Sequence, residues 1–292
     1  MEKWIQLLVT GITVGSIYSL IALGYVTIYR TSRIVNMAQG AFVMLGAFFT
    51  YSFLSEIGLP FWLSAILGIV VVVIVSLLCY LLVLRPLVKI SLVSIILATM
   101  ALSILFENLS LLRWGGYGKS VPAFTGDKAL FFGKVAVFPQ SLWVIGLMVL
   151  VLIALYLLTN RTRVGKQMTA TANDPEAASL SGVNTGRMII LAFAISAAIG
   201  SLGGIAITPI NSTSYLSGGI YALSGFVAAI LGGWGSSSGA VVGGLALGVI
   251  QSVATGFLPA GYQDAIAYLI LILVLYFRPS GLLGVPASES EA

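Results

Sequence analysis

Long apolar runs, each about 20 residues and each closed by a short polar or charged stretch, repeat along nearly the whole chain. Reading them between charges predicts spans near 5–29, 37–55, 61–84, 90–112, 140–159, 188–208, 220–233, 239–258 and 262–277. A helix of about 20 residues crosses roughly 30 Å of hydrocarbon. The runs are too long and too evenly apolar for β-barrel strands, which alternate over about 10 residues. The pattern therefore predicts an all-α, polytopic transmembrane helical bundle of about 8–9 spans. The run YALSGFVAAILGGWGSSSGA is short and rich in Gly, so the segment 220–240 is expected to be broken or re-entrant. The domain expectation is one membrane unit over 1–285, with a polar segment at 160–187 on one side, a loop at 113–139 on the other, and a disordered tail at 286–292.

Composition agrees: 59% of the 292 residues are hydrophobic and only 8% are charged, against about 25% charged in soluble domains. The first run, from about Trp4 to Tyr29, exceeds the roughly 7–15 residues of a signal-peptide core and reads as a retained span. Lys and Arg set an orientation. Arg30, Arg33, Arg85, Lys89, Arg161, Arg163, Lys166, Arg187 and Arg278 fall on one side, nine residues, against five (Lys3, Arg113, Lys119, Lys128 and Lys134) on the other. Basic residues accumulate in cytoplasmic loops, so the N-terminus is expected outside, with 160–187 and the C-terminus inside.

The same counts remove several functions. With no His and a single Cys, imidazole bases, His-held metals and intrachain disulfides are out of reach. No clustered acids and no nucleophile paired with a base stand out, so no catalytic residues, metal or cofactor are expected. Glu107 and Asp264 lie towards the outer ends of their spans and read as carboxylates reaching interfacial water. A stand-alone secondary transporter or channel would be expected to carry ion-coupling carboxylates at mid-span. None is found there, and that reading stays as the alternative.

Three features carry positional information. Gly11 and Gly15, Gly239 and Gly243, and Gly244 and Gly248 stand four apart, on one helix face each, where small residues let two backbones approach in lipid. They are expected to serve packing within the chain, an interface with a second membrane subunit, or a gate that slides. Asn36, Gln39 and Gly40 fall where one span breaks and the next begins, so their amides and exposed backbone can line a path. Asn211 and Tyr215 follow Pro209 in an outer polar connector. A weak repeat, GSIYSLIALG against GGIYALSGFVAAILGG, hints at the repeat construction common among transporters.

The polar segment TNRTRVGKQMTATANDPEAASLSGVNTGR is the most informative. Asp174 is placed to cap a helix, Pro175 to open it and Glu176 to face its positive end. Ala177, Ala178 and Leu180 continue it and Gly182 stops it. Under two turns long, such a helix is not stable alone. Upstream, Val164, Met168 and Ala172 form an apolar stripe beside Arg161, Arg163 and Lys166, suited to a membrane surface.

This segment resembles the cytoplasmic coupling loop of ABC importer permeases. GITVGSIYSLIALGYVTIYRTSRIVNMAQGAFVMLGAF, TRVGKQMTATANDPEAASLSGVN, GGWGSSSGAVVGG and FRPSGLLG together are similar to the permeases of branched-chain amino acid transporters over nearly the whole chain. Asn36, Ala38 and Gly40 match the segment that follows the first span in that family. Gln39 departs from the His of many relatives. The resemblance implies a transport subunit without nucleotide of its own. Its implied partners are a second homologous permease, two cytoplasmic ATPases and an extracytoplasmic solute-binding protein, in a bacterial inner membrane. Asp174 to Gly182 would then carry the mechanical contact with an ATPase. The implied solutes are branched-chain amino acids or related small organic molecules.

Overall fold

The computed structural model describes residues 2–87, 91–126, 128–132, 135–257, 259–278 and 280–283. Lys89, Lys134 and the tail 286–292 lie outside these, as does the side chain of Asp264. The chain runs α1 (Glu2–Ser32), α2 (Gln39–Tyr51), α3 (Phe61–Cys79), α4 (Arg85–Leu87), α5 (Leu92–Trp114), β1 (Leu130–Phe132), β2 (Val135–Val137) and α6 (Pro139–Arg161). It continues through α7 (Arg163–Asn173), α8 (Pro175–Leu180), α9 (Thr185–Ile207), α10 (Ser217–Gly232), α11 (Ser237–Thr255) and α12 (Gln263–Phe277). A π turn at Ser52–Glu56 prolongs α2, and another at Tyr80–Leu84 joins α3 to α4.

Six helices among the described residues are long and apolar enough to cross a membrane: α1, Phe61–Leu87, α5, α6, α9 and α11. Of the remaining expected spans, α2, α10 and α12 are shorter, at 13, 16 and 15 residues. The Gly-rich segment does break. Gly232 closes α10, Gly233 and Gly235 take positive φ of 112° and 92°, and α11 starts four residues later. The small antiparallel hairpin β1–β2 was not foreseen. Its Ala136 backbone exchanges two hydrogen bonds with the Gln6 amide, at 3.0 and 3.1 Å, which tie it to the start of α1.

Helix α1 is the centre of the bundle. Every residue from Gly15 to Ile28 is buried, as a helix enclosed on all sides by others must be. It packs against α11, α9, α10 and α6. The outer helices bury one stripe each, at helical spacing: Ser64, Gly68, Val72 and Ser76 on α3, and Ile95, Thr99, Ser103 and Ser110 on α5. Ile66, Val70 and Ile74 on α3 and Leu97, Ile104 and Leu112 on α5 stay exposed. Small and hydroxylated side chains inside and large apolar ones outside are what lipid selects, since bulk apolar surface gains nothing by leaving it.

The α1–α11 seam shows that selection most sharply. A Cβ on Gly15 would stand 2.8 Å from Leu245 Cα and 2.9 Å from the Gly244 carbonyl oxygen, and one on Gly11 would stand 2.8 Å from Val249 Cα. Beside them the Ser19 hydroxyl donates within its own helix to Gly15 and across the seam to the Val241 carbonyl, at 2.7 and 3.0 Å. Gly239 and Gly243 perform the same service between α11 and α10, against Gly232 and Ala228. With Gly244 against Ser19 and Gly248 against Gly15, all six glycines of the four-apart pairs pack helices of this chain against one another.

A long helix followed by an irregular break and a short helix occurs twice, as α1–α2 and α9–α10. The two short helices meet near their N-termini, where Gly40 lies against the Gly218 carbonyl and the Ala222 amide. The two similar sequence segments do not occupy equivalent places in these pairs. Residues 15–24 lie in the long helix α1 and 218–233 in the short helix α10, and the two pack side by side, with Gly225 against Ile21.

Candidate functional site

The polar segment projects from one end of the bundle as two short helices, and each turn of it has a local cause. Thr162 caps α7, its hydroxyl accepting from Gly165 N–H at 3.0 Å. Gly165 lies directly on the backbone of Leu158 and Thr159, so only a residue without a side chain lets α7 fold back over the end of α6. Met168 is buried at 4% exposure, close to the ends of α1 and α6, while Arg161, Arg163 and Lys166 are exposed. The apolar stripe of α7 therefore anchors it, and its basic residues face outward.

Next, Asp174 caps α8. Its Oδ1 accepts from the amides of Glu176 and Ala177 at 3.0 and 2.9 Å. Pro175 occupies the first helical position. Gly182 takes φ +84° and ends the helix in the left-handed region that glycine enters without a Cβ clash. Asn184 then caps α9, accepting from Arg187 N–H at 3.0 Å. Within α8 only Ala178 turns inward. Glu176, Ala177 and Ser181 are exposed, and Leu180 presents 91% of its surface. A leucine so exposed at the tip of a capped helix is a small apolar knob beside a carboxylate, without a pocket of its own chain to enter.

The candidate path residues divide between two places. Asn36 and Gln39 are buried at the break between α1 and α2. The Gln39 side chain donates to the Ser196 carbonyl at 3.1 Å and accepts from the Ser196 hydroxyl at 2.7 Å, and Gly24 and Gly200 enclose it. Asn36 Oδ1 accepts from Ala38 N–H at 3.2 Å, while its Nδ2 is buried with no hydrogen-bond partner. Asn211 and Tyr215 lie at the opposite end from α8, in the stretch where Lys119 and Thr213 pair backbone to backbone. They do not join Asn36 and Gln39 in one site.

Sequence reasoning undervalued one residue. Glu107 lies against the first turn of α10, its Oε1 within 3.2 Å of where a Cβ would stand on Gly218 or Gly219. It therefore faces the junction of the two short helices rather than simply reaching for interfacial water. The signal was its position two helical turns inside α5, where a carboxylate is costly.

Gln39 gives a direct test of what its buried amide does between α1, α2 and α9. Gln39→Leu removes both bonds to Ser196 and is expected to lower stability by about 1 kcal/mol. A thermal unfolding midpoint in detergent reads this. A change in solute preference without loss of stability would contradict the packing role.

The described residues form a multi-helix bundle of membrane-spanning length, and a capped helix stands out at one end. The family described as "Branched-chain amino acid transport system / permease component" matches residues 7–275. Among relatives, the chain is 29% identical to the high-affinity branched-chain amino acid transport system permease protein LivH of Escherichia coli K12. That alignment covers 98% of this chain and 97% of the relative. It is 32% identical to BraD of Pseudomonas aeruginosa, a permease protein of the same description, over the same shares of the two chains. A weaker similarity, 24% over 61% of this chain and 57% of the relative, is to the ribose import permease protein RbsC of Escherichia coli. The chain belongs to the branched-chain amino acid transport system permease family, and it is a transport subunit rather than an enzyme.

Proposed function

We propose that this chain forms the membrane path of an ATP-driven importer for branched-chain amino acids or a closely related small organic solute. It works beside a second homologous permease, two ATPase subunits and an extracytoplasmic solute-binding protein. The observation that carries the reading is α8, a capped helix whose Leu180 and Glu176 are exposed and meet no counterpart among the described residues. It sits at the end of a bundle that matches amino-acid permeases along almost its full length.

In this scheme Asp174 to Gly182 is the coupling element. Closure of the ATPases displaces α8, and α7 passes the displacement on to the ends of α6 and α1, against which it is anchored. Packed helices tilt as units in such transitions. The path runs along the junction of α2 and α10, with Gly40 and Glu107 beside it, Asn36 and Gln39 buried behind it at the α1–α2 break, and Tyr215 and Asn211 towards the entrance. The spans then number eight or nine, with α2 and α10 as the short, broken members. Positive charge supports the orientation: Arg30, Arg33, Arg161, Arg163, Lys166 and Arg187 gather at the α8 end, which is assigned to the cytoplasm. Asn211 and Tyr215 then meet the solute-binding protein outside.

Affinity purification of the tagged chain from native membranes tests the assembly. An ATPase and a second permease are expected in stoichiometric amounts. A chain that purifies alone and accumulates solute against its gradient in liposomes would overturn the proposal in favour of a stand-alone transporter.

A further inference from the structure

A cavity of about 920 Å³ opens at the α8 end, between the ends of α1 and α6, helix α7 and the α10–α11 turn. Two guanidinium groups line it, Arg30 and Arg33, and among the described residues no Asp or Glu does. Arg30 Nη1 donates to the Ser237 hydroxyl at 3.3 Å and Arg33 Nε to the Ala172 carbonyl at 3.4 Å. Neither pairs with a carboxylate among the described residues, where the one ion pair joins Arg113 to Glu56. Arg33 is also the one non-glycine described residue with positive φ, at 56°. Two cations converging on one cleft repel each other, and an anion between them removes the repulsion.

The walls say which anion. Beyond the arginines and Asn160 the lining turns apolar along α6, where Tyr156, Ile153 and Leu152 line it. Tyr156 and Ile153 are about half exposed, on the surface that meets lipid. Trp234, stacked edge-on with Tyr29 at 5.3 Å, closes the opposite wall. A cationic pocket that continues into an apolar, lipid-facing groove, with a Trp at the boundary, matches a phosphate headgroup and the start of its acyl chain.

We propose that this cleft binds a phosphate-bearing anion, supplied as the headgroup of an anionic phospholipid of the leaflet on the α8 side. Such a lipid would rest between α1 and α7 and so bear on the element proposed to transmit motion. The site depends on the chain spanning a membrane but not on which solute it carries.

The test uses the assembled complex in detergent, with phosphatidylglycerol, phosphatidylcholine and inorganic phosphate as probes and native mass spectrometry as the readout. Wild-type protein is expected to retain one phosphatidylglycerol per copy of this chain and to prefer it to phosphatidylcholine. Arg30→Gln with Arg33→Gln should weaken retention roughly thirtyfold, about fivefold for each charge, while Arg30→Lys with Arg33→Lys keeps most of it and controls for folding. Tyr156→Ser with Ile153→Ser should weaken lipid retention further. Equal retention by wild type and the Gln pair would overturn the site. If inorganic phosphate binds as tightly as the lipid, the ligand is a free anion and the lipid assignment fails. It fails equally if the isolated chain holds the lipid and the complex does not, because a carboxylate of a partner subunit then fills the cleft. Solute uptake, measured separately, reports on the transport reading and not on this one.

Discussion

Glu176→Lys combined with Leu180→Asp is expected to lower ATP-dependent solute uptake by more than about tenfold and to leave the membrane bundle folded. Both side chains are exposed and neither holds α8 in place, because the cap is Asp174, the stop is Gly182 and the inward contact is Ala178. The double change reverses one charge and puts a second where an apolar tip stood. In an interface, truncating one well-buried anchor typically costs about 2 kcal/mol or more, a factor of roughly thirty in affinity. A carboxylate forced into an apolar groove costs more than a truncation. The checks are radiolabelled solute uptake in cells and the ATPase recovered with the tagged chain. Full uptake with a full complement of ATPase would end the assignment of α8 as the coupling helix.

Gly248→Leu is expected to prevent the bundle from assembling. A Cβ at this position would fall on the backbone of Gly15 and on the Gly11 carbonyl. The collision is with main chain, so no choice of rotamer on either helix relieves it. α11 must move away from α1, the helix on which the whole bundle is built, and the Ser19 bond to Val241 is lost with it. Overpacking a core costs about 1–3 kcal/mol where side chains can shift, and here only backbones are available, so the cost lies above that range. The expected result is little or no monodisperse protein in detergent. Gly146→Leu is the control: it changes the same residue type on exposed α6, where nothing lies within 4 Å of the added Cβ, and it should behave as wild type. Equal recovery of the two variants would refute the packing account.

Much of this protein is readable along its sequence, and the reasons are local. Spans follow from apolar length, because backbone groups in hydrocarbon must be satisfied within the helix. The Asp174-Pro175-Glu176 start and the Gly182 stop of α8 are legible because capping is a contact between near neighbours. The resemblance to amino-acid permeases rests on four ordered segments and reaches along nearly the whole chain. Other features escaped for the opposite reason. The hairpin β1–β2 depends on Gln6, more than a hundred residues away. Glu107 reads as an interface carboxylate until α10 is seen to begin against it. Asn36, Gln39, Asn211 and Tyr215 look alike in sequence, as polar residues at helix breaks, yet they occupy separate places.

By itself the sequence determined that the chain is a helical membrane protein, where its long helices run, and that a capped polar helix interrupts them, since these depend on length, hydropathy and contacts between near neighbours. Only the tertiary structure decided which helix lies at the centre, that the glycine pairs join helices of this chain, and that Arg30 and Arg33 share one cleft. Packing in lipid depends on how closely backbones fit, and that fit is a property of two helices at once, which neither one's sequence contains.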